Sequence, residues 1–213
     1  MKEAPPAIGR TARPPNAKRV YRMTARKEAV DRARERMLRA AFELWLERPY
    51  EDVTLDDVAE LAGVSRQTVL RHFGSKERLV VAVVDWGAPQ EDEARQVDPG
   101  DVATGLRRLV DRYETMGDAV VRLLDLEGRI GALDYVFAQG RAGHRAWIEH
   151  LFDPFLPRRG TQRREQAVMA LYAATDVTVW KLLRRDFERA RKDTEATITL
   201  LVEGVLATLG PRG

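Results

Sequence analysis

The sequence contains no cysteine at all. That absence excludes disulfide scaffolds, thiolate nucleophiles, cysteine zinc sites and iron–sulfur clusters together. The sequence also lacks any apolar run near the roughly 18 residues that span a bilayer, and its first residues lack the apolar core of a signal peptide. We therefore expect a cytoplasmic protein that does not enter a membrane.

Histidine is scarce as well, with three residues in the chain. His144 and His150 stand about 600° apart on a helix, so they face different sides and do not form an i, i+4 metal pair. Gly140 and Gly143 follow no predicted strand, which argues against a phosphate-binding loop. We expect neither an enzyme, nor a metal site, nor a bound cofactor.

Apolar and charged residues are present in globular proportion, at 44% and 32% of the 213 residues. This length suits one large domain or two small ones. Residues 1–27 hold eight basic residues and one acidic residue, whereas the rest of the chain is net acidic. The proline-containing arm at 1–23 is expected to be disordered, and it would either contact a polyanion or act as a solubilising tail.

Turn residues and an apolar period of three to four residues predict an all-α protein. We expect a first helix from an N-cap at Thr24 to Arg48, and a fourth helix that ends or kinks at Pro89. Further helices are expected over residues 101–116, 118–128, 133–156, 163–186 and 193–209. The predicted division is an arm at 1–23, a helix-turn-helix DNA-binding domain at 24–86, and a helical effector-binding and dimerisation domain at 87–213.

The segment TLDDVAELAGVSRQTVLRHF, residues 54–73, has the pattern of two short helices joined by a tight turn. Thr54 and Asp57 form a capping-box pattern, and Ser65 is a good N-cap for the second helix. Gly63 supplies the left-handed conformation that the turn requires. Together these offsets predict a helix-turn-helix.

The second helix of this pair presents long hydrogen-bond donors and has no acidic residue between Ser65 and Ser75. A helix of this size fits a major groove about 12 Å wide, where such donors reach base edges and phosphates. The alternative is an ordinary capped helix pair, but it does not explain why the exposed face of the second helix is basic or neutral while the first helix of the pair is acidic. The residues expected to contact DNA from this helix and its N-cap are Ser65, Arg66, Gln67, Thr68 and Arg71.

The long first helix, this helix pair and the following GSKERL resemble the TetR family of bacterial transcriptional regulators over residues 24–84. The resemblance implies base-edge contacts by Arg66, Gln67 and Thr68. It implies phosphate-contacting or helix-positioning roles for Thr54, Arg71, His72 and Lys76.

One position departs from the family pattern, because this chain has Leu70 where an aromatic residue is usual. Arg71 can supply the phosphate contact instead, since a guanidinium readily reaches phosphate oxygens. Arg26 and Lys27, at the end of the basic region, could add minor-groove or backbone contacts.

The later half has two strongly apolar helices, the one from Arg163 and the last one. Two such helices from two chains would form a four-helix bundle about a twofold axis, and the resemblance also implies a homodimer. The alternative is that both helices are covered within one chain.

Aromatic side chains in this half are suited to lining an effector cavity, although each one alone is also suited to core packing. Asp176 is expected inside an apolar helix, where an unpaired carboxylate would be costly. Its partner would be an arginine of the same chain, a group across the dimer interface or a cationic ligand. The expected effector-binding residues are Tyr113, Phe137, Trp147, Tyr172, Asp176 and Trp180.

The sequence thus favours a regulator that binds double-stranded DNA at a palindromic operator. We expect a repressor that a small, hydrophobic effector releases from the operator. Two alternatives stay open: a DNA-binding regulator without an effector, and a helical enzyme or small-molecule carrier.

Overall fold

A computed structural model describes residues 17–210, which form packed helices and include no strand. The predicted all-α class is confirmed. Among the described residues no helix is both long and apolar enough to cross a membrane. The helices are α1 (Ala17–Glu47), α2 (Leu55–Ala62), α3 (Arg66–Phe73), α4 (Lys76–Arg95), α5 (Val102–Leu124), α6 (Asp134–Leu151), α7 (Gln162–Thr175), α8 (Val177–Lys181) and α9 (Arg191–Leu209). A 3-10 turn at Gly131–Leu133 precedes α6, and a π-helical segment at Leu182–Asp186 follows α8.

The first helix begins earlier than the sequence predicted. It starts at Ala17, so Thr24 lies inside α1 and is not its N-cap. The segment AKRVYRM contains no glycine or proline, and several of its residues are good helix formers, so nothing interrupts the helix there. Residues 17–23 of the predicted arm therefore belong to α1, and the rest of the arm lies outside the described residues.

The predicted helix pair is confirmed in its local details. Thr54 and Asp57 form the reciprocal capping box that opens α2. Gly63 ends α2 with φ of 65°, in the left-handed region that favours glycine. The side chain of Ser65 accepts the backbone N–H of Thr68 and caps α3.

The fourth helix does not end at Pro89, so of the two predicted outcomes, an end or a kink, the end is wrong. Proline lacks the N–H that would bond to the carbonyl of Asp85, so one helical hydrogen bond is lost. The helix continues because its last turns are held from outside. Glu91 pairs with Arg112 of α5, and Arg95 donates to His144 of α6. One helix therefore runs from the helix pair into the later half.

The two helices predicted at 101–116 and 118–128 are a single helix, α5. Gly117 is buried within it and faces Trp180 of α8. A Cβ atom at this position would lie 2.4 Å from Cζ3 of the indole. The glycine therefore permits close packing of two helices and does not mark a turn.

The helix predicted at 133–156 ends earlier, at Leu151, and the one predicted at 163–186 is interrupted at Asp176. Asp176 has an extended backbone, with ψ of 148°, and its carboxylate accepts the N–H of Thr178 at 2.9 Å. It is therefore the N-cap of α8. The partner of Asp176 is thus the start of the next helix, which was none of the three predicted alternatives.

Hydrophobic clusters organise the two halves and join them. Helices α1 to α4 enclose a cluster that includes Met37, Leu38, Val69 and Leu79. Helices α5, α6, α7 and α9 enclose a larger one that includes Leu109, Ile148, Phe152, Val168 and Val202. A smaller cluster between them contains Tyr50, Val80, Leu126, Leu133, Val136 and Phe137. This third cluster packs the start of α4 against the end of α5 and the start of α6.

Candidate functional site

The outer face of α3 is polar and open to solvent. Val69 and Phe73 are buried on its inner side, at 0% and 7% exposure. Because these anchors stand four residues apart on one face, the side chains of Arg66, Gln67 and Arg71 are left outside, and all three are exposed. The structure thus brings together three of the predicted DNA-facing donors.

Arg66 is only loosely engaged by its own chain. Its Nε lies 3.4 Å from a carboxylate oxygen of Asp56, and both side chains are more than half exposed. Such a surface ion pair is worth about 0 to 1 kcal/mol. A phosphate or a base edge could therefore replace Asp56 as the partner of the guanidinium with little loss of free energy.

Three predicted contact residues form hydrogen bonds at the N-termini of α2 and α3. Thr54 Oγ1 accepts the N–H of Asp57 at 3.1 Å and donates to its carboxylate at 2.7 Å. Ser65 Oγ accepts the N–H of Thr68 at 3.2 Å and lies 2.9 Å from the Thr68 hydroxyl. This arrangement favours helix positioning as the role of Thr54. Contact of these residues with DNA stays a prediction.

His72 and Lys76 are half-buried at the end of α3 and the start of α4. Burial lowers the pKa of His72, and Arg71 and Arg34 lower it further, so the imidazole is neutral at pH 7. Lys76 Nζ donates to the carbonyl of Glu51 at 3.2 Å and lies 4.2 Å from the centre of the Tyr50 ring. Burial also lowers the pKa of Lys76, and the nearby carboxylates of Glu51 and Glu77 act in the opposite direction.

Two arginines of α1 that the sequence analysis did not single out, Arg34 and Arg36, also lie beside these helices. Arg34 lies 5.5 Å from the centre of the Phe73 ring at the end of α3, and Arg36 Nε donates to the carbonyl of Ala62 at 3.2 Å. Both contacts join residues distant in sequence, so no local pattern could reveal them. Arg26 and Lys27 are also exposed on α1. At a rise of 1.5 Å per residue, Arg26 lies about 12 Å from Arg34 along the helix axis, toward the N-terminus.

In the later half, four of the six predicted effector residues lie around one hydrogen-bonded group. The hydroxyl of Tyr113 donates to the carbonyl of Thr175 at 2.9 Å, and its ring lies 6.0 Å from that of Trp180. Trp147 and Tyr172 contact the ring of His144, with centroid distances of 5.5 Å and 4.7 Å. Trp147 and Tyr172 are therefore neighbours of His144, and Tyr113 and Trp180 are neighbours of each other, while effector binding by these residues stays a prediction.

His144 has a defined proton position. Arg95 Nη2 lies 2.8 Å from Nδ1 of His144, and a guanidinium can only donate, so Nδ1 is the acceptor and the proton is on Nε2. Nε2 then donates to Thr175 Oγ1 at 3.0 Å, and Thr175 donates to the carbonyl of Leu171 at 2.7 Å. Burial and, to a smaller extent, the charge of Arg95 lower the pKa of His144 to about 3. The imidazole is therefore neutral.

Two predicted effector residues stand apart from this group. Phe137 packs in the cluster with Tyr50 and Leu133, so it does not share a wall with the other aromatic residues. Asp176 serves as the cap of α8. Two surface clefts of about 430 and 620 Å³ are lined by none of the six predicted residues, and they are rich in arginine.

Trp180 is fixed by polar as well as apolar contacts. It is 0% exposed, and its Nε1 donates to Glu114 of α5 at 2.8 Å. Arg184 from the π-helical segment donates to both oxygens of the same carboxylate, at 2.7 and 2.8 Å. Arg185 binds Asp118 in the same two-pronged way and lies 4.7 Å from the centre of the Trp180 ring. These contacts hold α8 and the π-helical segment against α5.

Residues 37–83 match the family model of the bacterial regulatory proteins of the TetR family. The chain is 39% identical over 75 residues to the transcriptional regulator EthR of Mycobacterium tuberculosis, which covers 35% of this chain and 34% of that protein. It is 32% identical over 120 residues to the transcriptional repressor Rv3405c of the same organism, which covers 56% and 53%. These matches span about half the length of the relatives or less.

The fold is similar to that of a putative TetR-family transcriptional regulator from Mesorhizobium loti. The TM-score is 0.64 at 20% identity, and the match covers 84% of this chain and 97% of the other. At this identity the match supports the fold, and it extends the likeness into the later helices.

Proposed function

The chain belongs to the TetR family of bacterial regulatory proteins, and from this premise we propose that it is a sequence-specific DNA-binding transcriptional regulator. The observation that carries the proposal is the exposed outer face of α3, with three long donors and no acidic side chain. In this proposal α3 lies in the major groove, where Arg66, Gln67 and Thr68 contact base edges. Phosphate contacts come from Arg71, His72, Lys76, Arg26 and Lys27.

The proposed functional unit is a homodimer. Helices α7 and α9 are neighbours in the larger cluster, yet both keep apolar side chains on their outer faces. Met169, Leu200 and Leu201 are 43%, 69% and 44% exposed. Pairing these faces about a twofold axis would bury them in a four-helix bundle and present two copies of α3 to a palindromic site.

The dimer is tested by analytical ultracentrifugation of Leu200→Glu. A charge on the pairing face should convert the dimer to monomer, whereas Phe187→Glu, at a residue 59% exposed outside α7 and α9, should leave it intact. A dimer that survives Leu200→Glu but not Phe187→Glu would place the interface elsewhere.

Within this proposal residues 24–86 bind DNA, and residues 87–213 pair the subunits and bind an effector. The effector is a small molecule with a substantial apolar part, bound beside Tyr113, Trp147 and Tyr172. The effector releases the protein from its operator, so the protein acts as a repressor. The name of the relative Rv3405c, a transcriptional repressor, supports that direction.

DNA binding is tested by footprinting the protein on the DNA upstream of its own gene at about physiological salt. A protected palindrome with half-sites about one helical turn apart is expected, because two recognition helices must enter successive major grooves on one side of the duplex. Equal affinity for that DNA and for random DNA of the same length would refute sequence-specific regulation.

A second candidate is a DNA-binding regulator without an effector. The full burial of Trp180 and its bond to Glu114 favour it, because a residue so fixed serves the core. Screening small molecules for release of the footprinted DNA separates the two candidates. Release by a compound that also raises the melting temperature supports effector control.

A further inference from the structure

Arg95, at the end of α4, shares its carboxylate partner with a second arginine. Its side chain is 15% exposed, and its Nε lies 3.8 Å from an oxygen of Glu91. Glu91 is at the same time the close ion-pair partner of Arg112. One carboxylate thus serves two guanidinium groups that are largely removed from water. Charges in such places are ordinarily matched by an opposite charge, so this trio has room for one more anion.

A neutral group occupies the place where that anion would bind. Arg95 Nη2 donates to the uncharged imidazole of His144 at 2.8 Å. A hydrogen bond from a guanidinium to a carboxylate is stronger than one to a neutral acceptor. A carboxylate that reached Arg95 would therefore displace the imidazole as its partner.

The surroundings of Arg95 suit a flat or apolar body attached to the acid. The guanidinium lies 4.8 Å from the centre of the Trp147 ring. Tyr172, half-buried, meets the ring of His144 edge to face at 4.7 Å. The side chains of Glu91 and Arg112 are 27% and 26% exposed, so this edge of the cluster can be reached from solvent without crossing the core.

Two other charged groups act on Tyr172, and each is already bound within the chain. Arg141 pairs with Glu127 at 2.7 Å, and the carboxylate of Asp176 accepts from the N–H and the hydroxyl of Thr178, which bind it but leave it charged. Arg95 is therefore the group with unmet capacity for an anion.

Resting on the proposed effector function, we propose that the effector is a small organic acid whose carboxylate binds Arg95 in place of His144, with its apolar body against Trp147 and Tyr172. Arg95 belongs to α4, the helix whose first turn follows the DNA-facing α3. When the acid replaces His144, the hydrogen bond that joins the end of α4 to α6 is lost. The same event that recognises the acid thus alters the support of the DNA-binding helices.

The test uses the full-length protein and two matched probe pairs: 2-naphthoate with 2-naphthamide, and decanoate with decanamide. Binding is followed by tryptophan emission and by the melting temperature. At least one acid should bind about tenfold more tightly than its own amide, since the charged hydrogen bond is available to the acid alone. Comparison of the two pairs tells whether the apolar body is aromatic or aliphatic.

Three variants locate the site. Arg95→Gln should abolish the preference for the acid over the amide, whereas Glu91→Gln, which removes the competing carboxylate, should strengthen acid binding severalfold. Arg141→Gln is the matched control, since it removes a neighbouring arginine that already has a partner, and it should leave the preference unchanged. If Arg95→Gln fails to fold, the opposite sign expected for Glu91→Gln still tests the proposal.

Equal binding of acid and amide, failure of both acids to bind, or a preference that survives Arg95→Gln would overturn the proposal. An amide that binds at least as tightly as its acid and releases operator DNA would refute the acid class while leaving effector control intact. Loss of operator binding in the absence of any probe would instead count against the proposed DNA-binding function.

Discussion

The helices that we propose to face DNA and the aromatic group of the later half use similar side chains in opposite ways. On α3 the long donors are exposed, and short-range caps at Thr54 and Ser65 hold the helices that carry them. Around His144 the polar atoms are buried and bonded to residues from four helices. Function on the first surface is therefore separable from stability, whereas in the second region the same residues serve both.

The sharpest way to break this comparison is Trp180→Ala. The variant removes a fully buried indole and leaves Glu114 without one of its donors, so the free energy of unfolding should fall by about 3 to 5 kcal/mol. Urea denaturation measures the loss. Phe187→Ala, at an exposed aromatic residue of the same half, should change it little. A stable Trp180→Ala variant would show that the indole lines a site and is not part of the core.

The converse test concerns Arg66→Ala and Gln67→Ala. Each should weaken binding to the footprinted site by about 1 to 3 kcal/mol and binding to random DNA little, because each removes contacts to base edges. Fluorescence anisotropy with both DNAs measures this, and the melting temperature should stay that of the parent. Gln162→Ala, at an exposed glutamine of α7, is the control. A loss that is equal on both DNAs would assign Arg66 and Gln67 to phosphate contact.

A smaller effect is expected at Thr54, which was predicted to contact DNA and also caps a helix. Replacing this N-cap by alanine should lower the free energy of unfolding by about 1 kcal/mol, because the N–H of Asp57 loses its acceptor. Thr197→Ala, at an interior position of α9, should cost less. If Thr54→Ala instead abolishes DNA binding at full stability, Thr54 contacts phosphate directly.

The smallest expected effect is a pH dependence at Asp57. The backbone N–H and the hydroxyl of Thr54 hold the pKa of this carboxyl below its ordinary value. A lowered pKa stabilises the fold above the unfolded value of about 4, and that contribution is lost as pH falls through the folded value. The stability difference between the parent and Asp57→Asn should therefore be present at pH 7 and shrink in acid. In a Thr54→Ala background the backbone N–H still donates to Asp57, so the difference at pH 7 should shrink only by the part that the hydroxyl supplies, and an unchanged difference would assign it to that N–H and to Arg48.

The sequence predicted the helix pair almost residue by residue, because its determinants are local. The capping box at Thr54, the left-handed Gly63 and the cap at Ser65 lie within a few residues of what they control. The sequence could not reveal contacts between segments that are distant along the chain. Gly117 has the appearance of a turn in sequence and is in fact a packing position for Trp180.

The prediction for Asp176 failed for a similar reason. The apolar pattern on both sides suggested one continuous helix, and the break is visible only when the side chain caps α8. The partners of His144 were also beyond the reach of the sequence, because Arg95 and Thr175 lie 49 and 31 residues away. A lone histidine near a tryptophan carries no local sign of such partners.

The proline inside α4 has a mechanical consequence. From Pro89 back to Lys76 the helix is about 20 Å long, at 1.5 Å per residue. The turn at Pro89, which lacks one hydrogen bond, is where this helix would bend most easily. A bend of about 10° there would carry the beginning of α4 through about 3.5 Å, close to the 3.4 Å rise of one base pair. In the proposed complex with DNA, a bend of that size would shift α3 by about one base pair relative to the groove that it enters.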